Sequence, residues 1–212
     1  MARVRVDLVR HGQSLSNVER RLVAVPPGPG LTDMGRRQAA RAAGLLDASG
    51  PVARILTSPL ARTRETAAAL VARTGLEAEV VDDLRELGFG AWEGRLVPPM
   101  REDPAYIAWH VDQEAAPPPG GERLSEAAVR VAAALERHVR DLGDGRIVAF
   151  SHHDPILAFY LLVGALPWVG AQLSIPNASI VSFAFEGDRW RWLAIDREAA
   201  LGQPSPEDTV TA

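Results

Sequence analysis

Apolar residues along this chain recur in two rhythms. Short aliphatic, β-branched runs occupy residues 4–9 (VRVDLV), 53–57 (ARILT), 78–81 (AEVV) and 146–150 (RIVAF). Runs of this length and type predict short strands. Residues 178–185 and 189–195 flank Glu186-Gly187-Asp188 and predict an antiparallel hairpin. Between the strands the step changes to three and four. Leu124, Ala128, Val131, Leu135, Val139 and Leu142 predict a helix over 122–142. Residues 33–48, alanine-rich with Leu45 and Leu46, predict another, and so do residues 60–73, with Leu60, Ala67, Leu70 and Val71 on one side. Ser58-Pro59 and Asp154-Pro155 each read as an N-cap followed by proline at the first helical position.

Strands alternating with helices imply βαβ units. The expected architecture is a three-layer α/β/α sandwich, its sheet mostly parallel with a C-terminal antiparallel hairpin. One domain is expected over residues 1–198. Two stretches, 20–31 and 88–121, are too long for simple connections and read as binding loops, the second as an insert or lid. The segment from Ala199 (AALGQPSPEDTVTA), residues 199–212, reads as a disordered tail.

Composition narrows the choices. The 212 residues carry a net charge of −4, so no global positive field recruits nucleic acid. The absence of cysteine excludes disulfides and thiolate chemistry. The stretch from Pro155 to Phe185 holds no charged residue, but Gly164, Pro167 and Gly170 interrupt it well short of a membrane span of about 20 apolar residues. It reads as a buried core helix that also suits a subunit contact, hence a homodimer. The charged N-terminus lacks an apolar signal region, and the expected location is cytoplasmic.

Open α/β sheets bind ligands at the carboxyl ends of their strands. Arg10 and His11 follow the first strand, Arg62 lies in the helix after the second, and His152 and His153 follow the fourth. Arginine forks, imidazoles and helix N-termini on one rim suit a phosphate. Guanidinium charge holds a neighbouring imidazole unprotonated and nucleophilic. Phosphoryl transfer through it requires an acid for the leaving oxygen, and Asp82, Asp83, Glu86 and Glu93 are candidates.

The motifs resemble those of the histidine phosphatase superfamily, the phosphoglycerate-mutase-like fold. They are R-H-G-x-S-x-x-N from Arg10 to Asn17, L-T-x-x-G-x-x-Q-A from Leu31 to Ala39 and S-P-x-x-R-x-x-x-T-A from Ser58 to Ala67. L-x-E-x-x-x-G-x-W-E-G from Leu84 to Gly94, Gly120-Gly121-Glu122 and Ser151-His152 follow in order. The resemblance implies that His11 is the phosphorylated nucleophile and Glu86 the proton donor. Arg10, Arg62 and His152 would cradle the phosphoryl group. Asn17, Ser14, Gln13 and His153 are candidate phosphate or substrate contacts. The implied function is a phosphomonoester hydrolase acting on a small phosphorylated metabolite, without metal or organic cofactor. A phosphoglycerate-mutase-type transferase and a non-catalytic phospho-ligand binder are the alternatives.

Taken singly, these residues have ordinary readings. An Arg-His pair after a strand is commonly a solvated turn, and His152-His153-Asp154 offers metal-ligand types, although Asp154 is better explained as a helix cap. His110 and His138 fit no motif and are expected at the surface, while Trp92, Tyr106 and Trp109 are expected in the core. His153 departs from the glycine or alanine common at its position, and VAVPPGPG stiffens the wall before the L-T motif. Arg20, Arg21, Arg95 and Arg101 are candidates for holding a second anionic group.

Overall fold

The computed structural model describes residues 3–169 and 173–200. In chain order its elements are β1 (Arg3–Arg10), α1 (Leu15–Glu19), α2 (Asp33–Ala48), β2 (Arg54–Thr57), α3 (Ala61–Thr74) and β3 (Ala78–Val80). Then come α4 (Val97–Met100), α5 (Pro104–Val111), α6 (Leu124–Leu142), β4 (Gly145–Ser151), α7 (His153–Gly164), β5 (Ile180–Glu186) and β6 (Arg189–Asp196). The sheet order is β3-β2-β4-β1-β5-β6. The first four of these run parallel, and β5 and β6 are antiparallel. This is the expected three-layer sandwich with its C-terminal hairpin.

Alternation along β1 divides the core. Val4, Val6 and Leu8 pack with Ile147 and Ala149 of β4 against α6 and α7. Val9 shares the opposite face with Val148, Phe150, Ile55 and the α2–α3 residues Leu46, Ala67 and Leu70. The apolar stripe of α6 is fully buried at Ala128, Val131, Leu135 and Val139.

Several expectations change. Residues 88–121 are not an open loop: α4 and α5 form there, with prolines in their first turns and Asp103 capping α5. Phe89, Trp92, Tyr106 and Trp109 are buried and pack at steep angles around one another. His110 belongs to this cluster, with its ring 4.5 Å from that of Tyr106; His138 is half-buried beside Arg54. Neither is a plain surface residue. The backbone of 20–31 is stitched to the insert: Leu22 and Val97 donate to Arg95 and Arg20 carbonyls, and the Glu93 carboxylate accepts from Ala24 and Val25.

Neither expected cap holds. α3 begins at Ala61 after Leu60, and the Ser58 hydroxyl, which accepts from Leu60 N at 3.3 Å, pairs with His152 Nε2 at 2.8 Å. α7 begins at His153 with His152 in the cap position, so Asp154 lies within the first turn and binds the His153 ring. At the far end, Ala199 is buried and the Ala200 carbonyl accepts from Gln38 Nε2 at 2.6 Å, so the first two residues of the expected tail are packed. The rest of that tail, residues 201–212, lies outside the described residues.

Candidate active site

β1 and β4 are adjacent and parallel with Arg10 opposite Ser151, so Arg10-His11 and His152 leave the sheet side by side. The His11 amide donates to the Ser151 carbonyl, and the His11 carbonyl accepts from Ala178 N and Asn177 Nδ2. Gly12 then passes so close to α2 that a Cβ on it would stand 2.4 Å from the Gly35 carbonyl oxygen. The glycines of R-H-G and L-T-x-x-G are thus two halves of one backbone contact. α3 crosses this turn: Thr66 Oγ1 accepts from Gly12 N at 3.1 Å, and Arg62, one turn earlier, reaches the His11 ring.

The His11 ring is oriented at both nitrogens. Nδ1 lies 2.7 Å from the Gly12 carbonyl, which fixes the proton there. Nε2 keeps its lone pair and accepts from Arg62 Nε at 3.1 Å. His152 stands with its ring centroid 5.2 Å from that of His11. Its Nε2 pairs with Ser58 Oγ at 2.8 Å, while its buried Nδ1 has no hydrogen-bond partner among the described residues and faces Glu86 Oε2 at 3.8 Å. Glu86 Oε1 accepts from Leu87 N at 2.9 Å, and Oε2 is 3.9 Å from Arg62 Nη2. Arg62 also donates to the Val23 carbonyl, and the fully buried Arg10 donates to the Ile175 carbonyl.

Burial and charge set the protonation states. Burial, then the positive charges of Arg62 and Arg10, hold the His11 pKa well below the usual histidine value. Burial and then Arg62 do the same for His152. Glu86 moves the other way, raised to about 7 by burial and by the nearby Asp154 against the opposing pull of Arg62. At neutral pH the site therefore presents a neutral imidazole, two guanidiniums and a carboxyl group poised between its two forms.

A cleft of about 40 Å³ opens on these groups, lined by His11, Ser16, Asn17, Arg21, Leu22, Val23, Arg62, Glu86 and Phe89. Arg10 and His152 are buried behind that lining. The remaining candidates are placed differently. Asn17 lines the cleft, but its Oδ1 accepts from Ser14 N and Oγ, closing a capping box on α1. Ser14 is that helix's cap, and Gln13 Oε1 accepts from Thr32 Oγ1; neither lines the cleft. His153 also stands outside the lining, its Nδ1 2.8 Å from Asp154 Oδ1. Of the other arginines considered, only Arg21 reaches the lining.

Sequence reasoning missed Ser58 as the partner of His152, Thr66 as the prop of Gly12, and Arg130 beneath Glu86. The S-P-x-x-R-x-x-x-T motif carried the first two, since Ser58, Arg62 and Thr66 recur at every fourth residue. His11, Glu86 and His152 also offer three ligand atoms within 4.8 Å of one another, the arrangement among the described residues that could hold a metal ion. The two guanidiniums beside them suit an anion better.

An α/β fold that gathers a neutral imidazole, two arginines and a raised carboxyl at the carboxyl end of its sheet forms a site whose chemistry suits an anion. The chain belongs to the histidine phosphatase superfamily: the family model for branch 1 matches residues 6–197. It is 33% identical over 187 residues to the bifunctional protein Rv2228c of Mycobacterium tuberculosis, covering 86% of this chain and 51% of that protein. The chain thus spans about half the length of that curated relative. It is 32% identical to a probable phosphoglycerate mutase, GpmB, of Shigella boydii, covering 88% of this chain and 87% of that one. Among solved structures it resembles mycobacterial glucosyl-3-phosphoglycerate phosphatase Rv2419c, with a TM-score of 0.78, 30% identity, and coverage of 90% and 97% of the two chains. No helix among the described residues is long and apolar enough to cross a membrane.

Proposed function

We propose that this protein hydrolyses a small phosphomonoester through a phosphohistidine on His11. The observation that carries the reading is the His11 ring itself. With Nδ1–H held by the Gly12 carbonyl, the lone pair on Nε2 points into a cleft shared with Arg62 and Glu86. An entering phosphoryl group draws the Arg62 fork from Nε2 onto its oxygens, freeing the nucleophile as it neutralises the electrophile. Nε2 bonds to phosphorus, the ester P–O bond breaks, and the leaving oxygen takes the Glu86 proton. Glu86, now a carboxylate, removes a proton from the water that attacks phosphorus. The P–N bond breaks, and phosphate and free His11 are released.

Arg10, Arg62 and His152 carry the charge on the equatorial oxygens. The neutral His152 ring makes one such contact: with Nε2 accepting from Ser58 Oγ and the ring proton on Nδ1, Nδ1–H donates to a phosphoryl oxygen. Asn17 borders the same space. The Arg21 guanidinium beside Leu22, Val23 and Phe89 favours a leaving alcohol with an apolar portion and a further anionic group. A cleft of about 40 Å³ admits a phosphoryl group, not a bulky ester, without movement of its walls.

The deciding experiment is quenched incubation with a panel of sugar phosphates, phosphoglycerates and aryl phosphates. A base-stable, acid-labile phosphoryl group is expected on His11, with phosphate released at each turnover. His11→Ala should keep the fold and lose at least about ten-thousandfold in kcat. Normal turnover by His11→Ala would exclude the mechanism. Transfer of the label to a second phosphoglycerate, with little free phosphate, would instead favour the mutase reading suggested by the GpmB relative.

A further inference from the structure

We infer that Arg130 and Glu122 are positioning residues for Glu86: one bidentate ion pair that clamps the irregular backbone carrying the proposed acid. This rests on the reading of Glu86 as proton donor. Glu86 lies between two short 3₁₀ turns, Asp82–Leu84 and Gly90–Trp92, so its backbone gets no hydrogen bonds from a sheet or long helix. Buried backbone groups in such a segment must find other partners, and here they find one guanidinium.

Arg130 sits on α6 with its side chain 10% exposed. Its Nη1 donates to the carbonyls of Asp83 at 2.6 Å and Arg85 at 2.9 Å, and its Nη2 donates to the Glu86 carbonyl at 3.1 Å. Nε and Nη2 fork onto the Glu122 carboxylate at 2.6 and 2.8 Å. That carboxylate accepts from Gly88 N at 3.1 Å, while the Glu122 amide donates back to the Gly88 carbonyl at 2.8 Å. Ser151 Oγ, next to His152, takes the Leu84 carbonyl at 2.8 Å. Every carbonyl from Asp83 to Glu86 is therefore held by a side chain, and Gly88 is pinned on the far side.

Only a planar fork can do this. Lysine has three donors on one atom and cannot reach three carbonyls and a carboxylate together. The pair is also neutral as a unit. Burial alone would raise the Glu122 pKa, but the hydrogen bond and charge of Arg130 outweigh it and keep the carboxyl ionised. The clamp thus fixes the Glu86 Cα without placing a net charge beside a carboxyl that must keep its proton near neutrality. Neither residue lines the cleft, so both act through Glu86.

A misplacement of about 1 Å costs on the order of a hundredfold in a positioned step, and the acid matters most when the leaving group is poor. Arg130→Lys and Glu122→Gln are therefore expected to lose about 10–100-fold in kcat on alkyl phosphates. On p-nitrophenyl phosphate the loss should stay within about threefold. Inhibition by inorganic phosphate, which reads the arginine cradle, should be unchanged. Arg130→Met should lose more than Arg130→Lys on alkyl phosphates. A purely structural role predicts equal losses on both substrate types alongside a lower Tm. Equal losses, or none, in folded protein with normal phosphate inhibition overturn the inference. Should Arg130→Lys not fold, Glu122→Gln, which keeps one acceptor for Gly88, decides it alone. Glu86→Gln run in parallel separates the two claims. If it discriminates between leaving groups and the clamp variants do not, only the clamp falls; if it does not, the acid assignment falls and takes the clamp with it.

Discussion

Two buried charge clusters lie along β1, built of similar residues and finished differently. In the first, Asp7 is fully buried among three donors. Its Oδ1 accepts from Arg5 Nε at 2.9 Å and Ser182 Oγ at 2.6 Å, and its Oδ2 from Arg146 Nε at 2.6 Å. The other arm of Arg146 is spent on the Leu46 and Gly50 carbonyls. In the second, at the carboxyl end of the same strand, Arg62 turns its Nε to a neutral imidazole and stands 3.9 Å from a carboxyl raised to about 7. The first cluster closes on Asp7, both of whose oxygens are met by protein donors, and its excess positive charge lies on Arg5, whose side chain is 43% exposed. In the other, the positive charge of Arg10 and Arg62 is buried, and His152 Nδ1 has no hydrogen-bond partner among the described residues. The difference teaches where function sits: structural networks satisfy themselves, and a binding site is completed by its ligand.

The comparison breaks first at Asp7. Asp7→Ala leaves the buried Arg146 guanidinium facing an apolar gap, and losing one member of a buried pair costs about 3–5 kcal/mol. Urea unfolding should show that loss, while inhibition by inorganic phosphate in the folded protein stays at the wild-type value. A stability change below about 1 kcal/mol would mean the cluster is not the closed network described.

Glu86 sharpens the other half. Because its carboxyl titrates at about 7 and His11 well below the usual histidine value, kcat/KM on alkyl phosphates should be flat through mildly acidic pH and fall above about 7. Glu86→Gln should remove that alkaline limb and lower alkyl-phosphate turnover by about 10²–10³-fold. Stability carries the same signature with a definite sign. A carboxyl whose folded pKa is raised from 4.5 to about 7 supports the fold below 4.5 and loses that support progressively up to about 7. The melting temperature of Glu86→Gln relative to wild type should therefore rise between those values and level off above them. A constant difference across that range would remove the raised carboxyl from the account.

Much of this was legible in the chain, for identifiable reasons. The step of three and four in α6 and the alternation in β1 are strong because one face of each must meet the core, and both elements appear where the pattern placed them. Arg10, His11, Arg62, Glu86 and His152 were legible as motif residues, and the parallel sheet explains why residues so far apart in sequence meet at and just behind one cleft. What was lost depended on partners elsewhere in the fold. Ser58 resembles a helix cap until His152 claims its hydroxyl, and Asp154 resembles one until His153 binds it. Arg130 was invisible because its five hydrogen bonds go mostly to backbone carbonyls, which leave no mark in the sequence. α4 and α5 were hidden by length alone, although their prolines and Asp103 are ordinary start signals.

The smallest expected effect is that of a chelator, and it tests the open cluster most directly. His11, Glu86 and His152 could in principle act as three ligands, with candidate atoms within 4.8 Å. Yet in a tetrahedral site with bonds of about 2.0–2.1 Å the ligand atoms lie only about 3.3 Å apart, and His152 Nδ1 and Glu86 Oε2 are separated by 3.8 Å. The lone pair a metal would need on His11 Nε2 is already met by Arg62 Nε–H. A divalent cation some 4 Å from that guanidinium would be opposed by roughly 8 kcal/mol at an effective dielectric of 20. A phosphate dianion in the same place is attracted by a comparable amount. Turnover of p-nitrophenyl phosphate should therefore be unchanged after exhaustive dialysis against EDTA and on adding back zinc, magnesium or manganese. A loss restored by one of these ions alone would mean that the surplus positive charge at the end of β1 is balanced during turnover by something other than the substrate, and the contrast with the Asp7 cluster would have to be redrawn around a metal.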